Sequence, residues 1–278
     1  MVQMSTMEPP TAPASTGIGR REPARIAAAL DSMGSLPILR GTIRRVMDLA
    51  DDPEGTVAQL VDAIEADEAF AANMLAFANA AGNARPISAR TVRQAVTLIG
   101  RRTTRQLALV AATYGFLERA PGNGRQSRGQ MHLHAVAVGQ AAANIARQVD
   151  LPADTPHLAG LLHDIGKLVL PMAVGEAVID GIAAEHPFGV ARAAAERREA
   201  GVDHALAGGL LARRWGCAEE VVEAIAWHHD LPSADAPSAR NAACVSLADL
   251  LATISGGHVV EMEDAAPALG LLGMSEAD

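Results

Sequence analysis

The chain has few aromatic residues, few cysteines and no long apolar run, and each absence excludes a class of protein. Phe, Tyr and Trp make up only 3% of the 278 residues, which disfavours sheets packed by large aromatic side chains. The two cysteines, Cys217 and Cys244, form no Cys-x-x-Cys pair, so we expect a reducing cytoplasmic compartment. No apolar run approaches the ~20 residues of a membrane span, so we expect no membrane partner.

Positive charge is also scarce. The 23 Lys and Arg residues face 32 Asp and Glu residues, and the formal net charge is −9 at pH 7. Proteins whose main partner is nucleic acid normally present a basic surface. We therefore expect no nucleic-acid partner, and a solvated helix face explains the small basic cluster of Arg101, Arg102 and Arg105.

The chain does contain a series of segments with helical periodicity, separated by turn residues. After Thr56, the apolar residues Val57, Leu60, Val61 and Ile64 recur at helical spacing, and Thr56 with Gln59 has the form of a capping box. Alanine is abundant, and Gly and Pro lie mostly between the periodic segments. These features predict an all-α fold.

Composition along the chain predicts two helical lobes. Residues 1–23 are rich in Pro and small polar residues and lack a hydrophobic period, so we predict a disordered tail. A first lobe over 24–118 then follows, and a polar, Gly-rich linker loop over 119–130 joins it to a second lobe over 131–272. A short tail over 273–278 ends the chain. Apolar residues lie on more than one face of first-lobe helices, so we expect this lobe to pack directly on the second.

One stretch carries the candidate chemistry. Residues 159–170, AGLLHDIGKLVL, place the vicinal pair His163-Asp164 inside an apolar helical run, followed by Gly166 and Lys167. Burying an imidazole and a carboxylate is costly unless each has a partner, and together they suit a divalent cation. Neighbours on a helix point ~100° apart, so both can reach one ion only near a helix end or between several helices.

Further candidate ligands lie before and after this pair, and together they form an ordered series along the chain. Each of these candidates lies on or beside an apolar helical face. The other four histidines, His132, His157, His186 and His258, lack such a context. A lone His in an apolar helix is more often a core residue than a ligand, but the ordered set is much more specific than any member. We predict that four of these ligands, His134, His163, Asp164 and Asp249, converge in space around one ion. The whole candidate metal set is His134, His163, Asp164, His204, His228, His229 and Asp249.

This order resembles the HD superfamily of metal-dependent phosphohydrolases, whose signature is H…HD…D. It resembles more closely the HDOD branch, the HD-related output domain of bacterial signalling proteins. The matching stretches include LLHDIGKLVL at 161–170, GVDHALAGGLLARRWG at 201–216, EEVVEAIAWHHD at 219–230 and SLADLLA at 246–252. The resemblance covers roughly residues 30–272. It implies a helical HDOD fold in which an N-terminal lobe packs on an HD-type lobe.

For the site, the resemblance implies a divalent metal such as Fe, Mn, Mg or Zn, held by the candidate set. Lys167 and His204 would assist on a phosphate group if the protein is active. In the HD-GYP branch a Glu in this part of the chain helps to hold the metals, which makes Glu199 a further candidate. An exposed charged turn over 196–199 is the simpler interpretation.

Two functions stay open at this point. HDOD proteins are generally regarded as non-hydrolytic, which implies an output or regulatory module that binds another signalling protein or a nucleotide second messenger. The alternative is a metal-dependent phosphodiesterase acting on nucleotides or cyclic dinucleotides, although the Gly-Tyr-Pro motif of the HD-GYP branch is missing after His229. A third interpretation is a purely structural helical protein. The sequence does not decide whether the chain forms a homo-oligomer.

Overall fold

The computed structural model describes residues 24–34, 41–81, 89–119, 125–231, 236–259 and 262–275, and these residues form helices and no strand. The all-α prediction is therefore confirmed, and the tail predicted over 1–23 lies outside the described residues. Within these ranges, no helix has the length and apolarity that crossing a bilayer requires. The helices are α1 (Ala24–Gly34), α2 (Thr42–Asp51), α3 (Val57–Glu65), α4 (Glu68–Ala81), α5 (Val92–Arg119), α6 (Arg125–Gln148), α7 (Asp154–Leu162), α8 (Val169–Val174), α9 (Glu176–Glu185), α10 (Gly189–Ala200), α11 (His204–Arg214), α12 (Glu219–Trp227), α13 (Ala236–Ser255) and α14 (Ala266–Leu272).

The first part of the fold packs α2, α3 and α4 against α5. The capping box of α3 is present, since the Thr56 hydroxyl accepts from the Gln59 backbone N–H and the Gln59 side chain accepts from the Thr56 N–H. Helix α5 changes direction at Gly100, whose φ of 78° is a conformation that favours glycine. Arg101 then donates to the carbonyls of Leu49 and Gly55, at 2.8 Å each, which fixes the end of α2 against α5.

Helix α1 does not join this group. It packs on α8 and α11 of the second lobe, and Arg25 donates to the carbonyl oxygen of Ala200 at 3.2 Å. Our assignment of residues from 24 onward to the first lobe is therefore corrected for α1. The apolar face of α1, with Ile26 and Leu30 fully buried, carries no information about its partner because apolar burial is non-directional.

The predicted linker loop over 119–130 is also corrected. Arg119 ends α5 and Arg125 begins α6, so only 120–124 separates the two helices, and those residues lie outside the described ranges. Arg and Gln, which are frequent in the segment, are good helix formers, so its polar composition alone was a poor guide to a loop. The first-lobe helices lie against the second lobe, because α5 contacts α6 and α7.

Helix α7 lies at the centre of the second lobe. Residues 156–162 are all buried, and α6, α12 and α13 pack around this helix. A 3₁₀ turn, Ile165–Leu168, follows α7 and packs on α11. The His163-Asp164 pair therefore lies at a helix end in the middle of several helices, the placement that one shared ion would require.

Candidate metal centre

Two close helix crossings bring the candidate ligands together. A Cβ added to Gly160 on α7 would lie 2.8 Å from the Cα of Gly139 on α6. A Cβ added to Gly166 in the 3₁₀ turn would lie 1.9 Å from the carbonyl oxygen of His204 and 2.5 Å from the backbone N of Gly208. Both distances are too short for any side chain, so glycine at these positions permits the backbone contacts that place His163 and Asp164 beside α6 and α11.

His163 directs one ring nitrogen into the centre. It follows α7 as the C-cap residue, and its Nδ1 lies 2.8 Å from the carbonyl oxygen of Gly160. Because a carbonyl oxygen can only accept, Nδ1 carries the proton and Nε2 is left with a lone pair. That Nε2 is fully buried and has no hydrogen-bond partner among the described residues. It lies 3.4 Å from Oδ2 of Asp164.

His134 and Asp249 complete the first group of ligands from two other helices. Nε2 of His134, on α6, lies 2.9 Å from Oδ1 of Asp249, on α13, and the same oxygen lies 3.7 Å from Nε2 of His163. The His134 and Asp249 side chains keep 26% and 15% of their surface exposed, whereas His163 is inaccessible. This group is therefore open to solvent on the side of His134 and Asp249. The structure brings together the four ligands that were predicted to converge, His134, His163, Asp164 and Asp249.

A second group consists of three imidazoles. Nε2 of His204 lies 3.1 Å from Nε2 of His229, and the rings of His228 and His229 lie 4.0 Å apart at their centroids. His228 donates from Nδ1 to the carbonyl of Ile225 at 2.7 Å, so its buried Nε2 has a free lone pair. One ligand atom from each of His204, His228 and His229 lies within 4.8 Å of the others, and the same holds for His134, His163 and Asp164.

The carboxylate of Asp164 connects the two groups. Its Oδ2 faces His163 at 3.4 Å, while its Oδ1 lies 3.3 Å from Nε2 of His204. Lys167 also contacts this carboxylate, with Nζ 2.6 Å from Oδ2. The ammonium predicted to face a phosphate is thus paired with Asp164 in this structure.

Burial and nearby charges set the protonation of these ligands. Burial lowers the pKa of His163, and it lowers the pKa of His228 to about 3, so both rings are neutral at pH 7. Burial alone would raise the pKa of the Asp164 carboxyl, but attraction by His163 and Lys167 holds it well below its ordinary value. His134 differs: burial would lower its pKa, but the hydrogen bond with Asp249 and the negative charges of Asp164 and Asp249 together raise it. The centre therefore offers the neutral imidazoles of His163 and His228 beside ionised carboxylates.

One functional residue was missed by the sequence interpretation. Glu196, assigned to an exposed turn, is fully buried, and its Oε2 lies 2.5 Å from Nδ1 of His204. Burial would raise the pKa of this carboxyl, but attraction and hydrogen bonding by His204 and a hydrogen bond from Arg192 lower it to about 2. A signal was available, since Glu196 shares a helical face with the buried residues Ala193 and Ala200. Glu199 is exposed and belongs to neither ligand group described here.

These donors fit a divalent cation. Neutral imidazole nitrogens suit Zn, Fe and similar ions, and carboxylate oxygens suit Mn and Mg as well. The unpartnered Nε2 atoms of His163 and His228 would each gain a partner from an ion. Three of the remaining histidines lie elsewhere: His157 is buried within α7, His186 follows α9, and His258 stacks on Phe188.

Comparison with known proteins identifies the family. The HDOD domain model matches residues 36–231, which is most of the chain. The chain belongs to the HDOD family. An uncharacterized protein from Treponema pallidum is 25% identical to this HDOD chain over 214 residues, which cover 76% of the chain and 41% of that protein. Ribonuclease Y from Thermus thermophilus is 35% identical over 134 residues, which cover 48% of the chain and 18% of that enzyme. The HDOD chain thus spans less than half the length of these relatives.

Solved structures share the same fold. An HDOD domain protein of unknown function from Geobacter sulfurreducens matches with a TM-score of 0.63 at 23% identity, covering 91% of this chain and 89% of that one. A protein provisionally named a phosphohydrolase, from Shewanella amazonensis, matches with a TM-score of 0.65 at 22% identity. The match covers 93% of this chain and 90% of that one. A protein provisionally named a signal transduction protein, from Marinobacter aquaeolei, matches with a TM-score of 0.57 at 22% identity. The match covers 91% of this chain and 60% of that one. At these identities the likeness establishes the HDOD fold alone.

Proposed function

We propose that this HDOD chain is a signalling module that holds a divalent metal in the His/Asp cluster and acts by binding another protein. The observation that carries the proposal is the pair of ligand groups joined by Asp164, with the buried Nε2 atoms of His163 and His228 unpartnered. Family membership supports the signalling role. A nucleotide second messenger is a second class of partner compatible with the open side at His134 and Asp249.

The metal would serve first to hold the second lobe together. The seven candidate ligands come from α6, the end of α7, α11, the end of α12, and α13. A buried polar atom without a partner costs about 1–3 kcal/mol, so two such imidazole nitrogens favour binding of an ion. Half-satisfied polar networks are costly, which gives a physical reason for a signalling module to hold a metal without hydrolysing anything.

Phosphodiester hydrolysis is the second candidate function, and the shared carboxylate of Asp164 favours it. A divalent ion with an open coordination position can lower the pKa of a bound water to ~7. The chain's own residues would contribute on the open side, where Lys167 keeps 24% of its side chain exposed and could bind a phosphate oxygen after leaving Asp164. The ribonuclease Y relatives carry a phosphodiesterase name, but they match over less than half of this chain. The net charge of −9 disfavours a long polyanion as substrate.

Elemental analysis of the purified full chain, combined with a hydrolysis screen, separates the two functions. We expect about one or two divalent ions per chain, in accord with the two ligand groups, and no substantial turnover of cyclic di-GMP or (p)ppGpp. Metal-dependent hydrolysis at ~1 s⁻¹ or faster, lost in Asp164→Asn with the fold intact, would establish the enzyme instead. Absence of any metal and of any binding to Co²⁺, Mn²⁺ or Zn²⁺ would refute the metal centre, and with it the enzyme.

A further inference from the structure

The imidazole of His204 is held differently from the buried rings of His163 and His228. His163 and His228 each direct Nδ1 to a backbone carbonyl of their own helix, at 2.8 and 2.7 Å. His204 opens α11 and has no preceding turn to supply such a carbonyl. Its Nδ1 lies instead 2.5 Å from Oε2 of Glu196, a charged partner on a different helix.

The Glu196 carboxylate is itself held by hydrogen bonds to both of its oxygens. Its Oε2 also accepts from the backbone N–H of His204 at 2.8 Å, and its Oε1 accepts from Nε of Arg192 at 2.9 Å. The carboxylate is fully buried, and Arg192 is mostly buried beside it. Helix α10 therefore presents a rigid anionic acceptor to the first residue of α11.

We infer that Glu196 is a positioning residue that holds His204 with its proton on Nδ1 and directs Nε2 toward Asp164 and His229. This inference rests on the proposed metal centre. With Nδ1 donating to Glu196, the ring orientation is fixed and Nε2 lies 3.3 Å from Asp164 Oδ1 and 3.1 Å from His229 Nε2. A carboxylate behind a ligating imidazole fixes its tautomer and raises its strength as a metal donor.

If Glu196 has this role, the two ligand groups differ in the partners that hold their imidazole rings. The group of His204, His228 and His229 depends on an anionic carboxylate outside the ligand set. The rings of the other group are held by the carbonyl of Gly160 and by Asp249, itself a candidate ligand. Loss of the Glu196 charge should therefore weaken one of two metal-binding events and leave the other nearly unchanged.

The test uses full-length protein, Co²⁺ as the probe, and the variants Glu196→Gln and Glu199→Gln. Glu199 lies on the same helix and is exposed, so it is the matched control. We expect Glu196→Gln to weaken one Co²⁺-binding event by about 10–100-fold in a spectroscopic titration, the effect typical of losing such a partner, and Glu199→Gln to change neither event. In a His204→Ala background, Glu196→Gln should have no further effect on Co²⁺ binding.

A second measurement needs no variant and no bound metal. Long-range ¹H–¹⁵N correlation spectra of metal-free wild-type protein report which ring nitrogen of His204 carries a proton. We expect a protonated Nδ1, assigned by the loss of its signal in His204→Ala. A bare Nδ1, or Co²⁺ affinities unchanged in a folded Glu196→Gln protein, would overturn the inference. If wild-type protein binds no Co²⁺ while Nδ1 is protonated, the metal proposal fails and the positioning of His204 by Glu196 stands.

Discussion

Nε2 of His134 lies 2.9 Å from Oδ1 of Asp249, although 115 positions separate the two residues in the chain. This contact joins α6 to α13 at the open side of the centre. Burial would raise the pKa of Asp249, but the hydrogen bond from His134 and attraction by the neighbouring imidazoles lower it, so the Asp249 carboxylate is charged at neutral pH. The pair is available both as a structural link and as two metal ligands.

Asp249→Asn tests this link. The amide keeps the size of the side chain but removes its charge, so we expect the free energy of unfolding to fall by about 1.5–3 kcal/mol, as for a hydrogen bond to a charged group. Urea denaturation with a chelator present measures this loss without any contribution from metal. Asp180→Asn, at an exposed position on α9, should stay within ±0.5 kcal/mol of wild type. Equal stability of the two variants would show that the His134–Asp249 contact contributes little.

Chelation should lower the thermal stability of the wild-type chain. A ligand present at 100 times its dissociation constant stabilises the folded state by about 2.7 kcal/mol, which corresponds to a Tm shift of roughly 5–10 °C for a domain of this size. Differential scanning calorimetry with Mn²⁺, Zn²⁺ or EDTA measures the shift. Asp164→Asn should abolish it, because Asp164 faces both ligand groups. An identical Tm with and without every ion tested would contradict the prediction.

His163→Ala should be destabilised by two separate effects. The variant loses the hydrogen bond from Nδ1 to the Gly160 carbonyl and leaves a cavity at a fully buried site. We expect a fall in Tm of several degrees even in EDTA, in line with a loss of ~1–3 kcal/mol. The further loss of metal-dependent stabilisation is measured by repeating the scan with Mn²⁺ or Zn²⁺.

Gly166→Ala should disrupt the centre without removing any ligand. The added methyl group would overlap the His204 carbonyl and the Gly208 backbone, so the 3₁₀ turn and α11 must separate. We expect a loss of about 1–3 kcal/mol, the usual cost of overpacking, together with weaker metal binding. Gly181→Ala is the control, because no atom lies within 4 Å of its added Cβ and alanine favours the helix by roughly 0.5–1 kcal/mol. Near-equal unfolding curves for the two variants would rule out a tight crossing.

The buried imidazole of His157 should make stability depend on pH. Burial lowers its pKa to about 4 from the ordinary value of 6.5, so the unfolded chain takes up a proton between pH 6.5 and 4 that the folded chain refuses. Stability must therefore fall as the pH falls through this range, by about 2 kcal/mol between pH 7 and pH 5 from this residue. Urea denaturation of wild type and His157→Gln at both pH values, in EDTA, measures the difference. A pH dependence that is the same in both proteins would exclude His157 as a contributor.

Helical periodicity determined much of the fold from the sequence. The spacing of Val57, Leu60, Val61 and Ile64 and the capping pair Thr56–Gln59 are local features, and the structure contains the expected α3. Local rules were insufficient at 119–130, where a polar composition predicted a loop and the structure continues two helices into the segment. They were also insufficient for α1, since an apolar stripe shows which face is buried and not which helix covers it.

For the candidate site, too, the sequence determined one part and the tertiary structure decided the rest. The sequence by itself determined which residue types stand in apolar surroundings, and it placed the vicinal pair His163-Asp164 at the centre of an ordered series. Only the tertiary structure decided that Asp164 faces two separate groups of imidazoles, and that the carboxylate behind His204 is Glu196 and not Glu199. Periodicity assigns each side chain to a face of its own helix, whereas distances between helices depend on crossings such as Gly160 on Gly139 and Gly166 on Gly208. Those crossings are set by packing among residues far apart in the chain, and no local pattern encodes them.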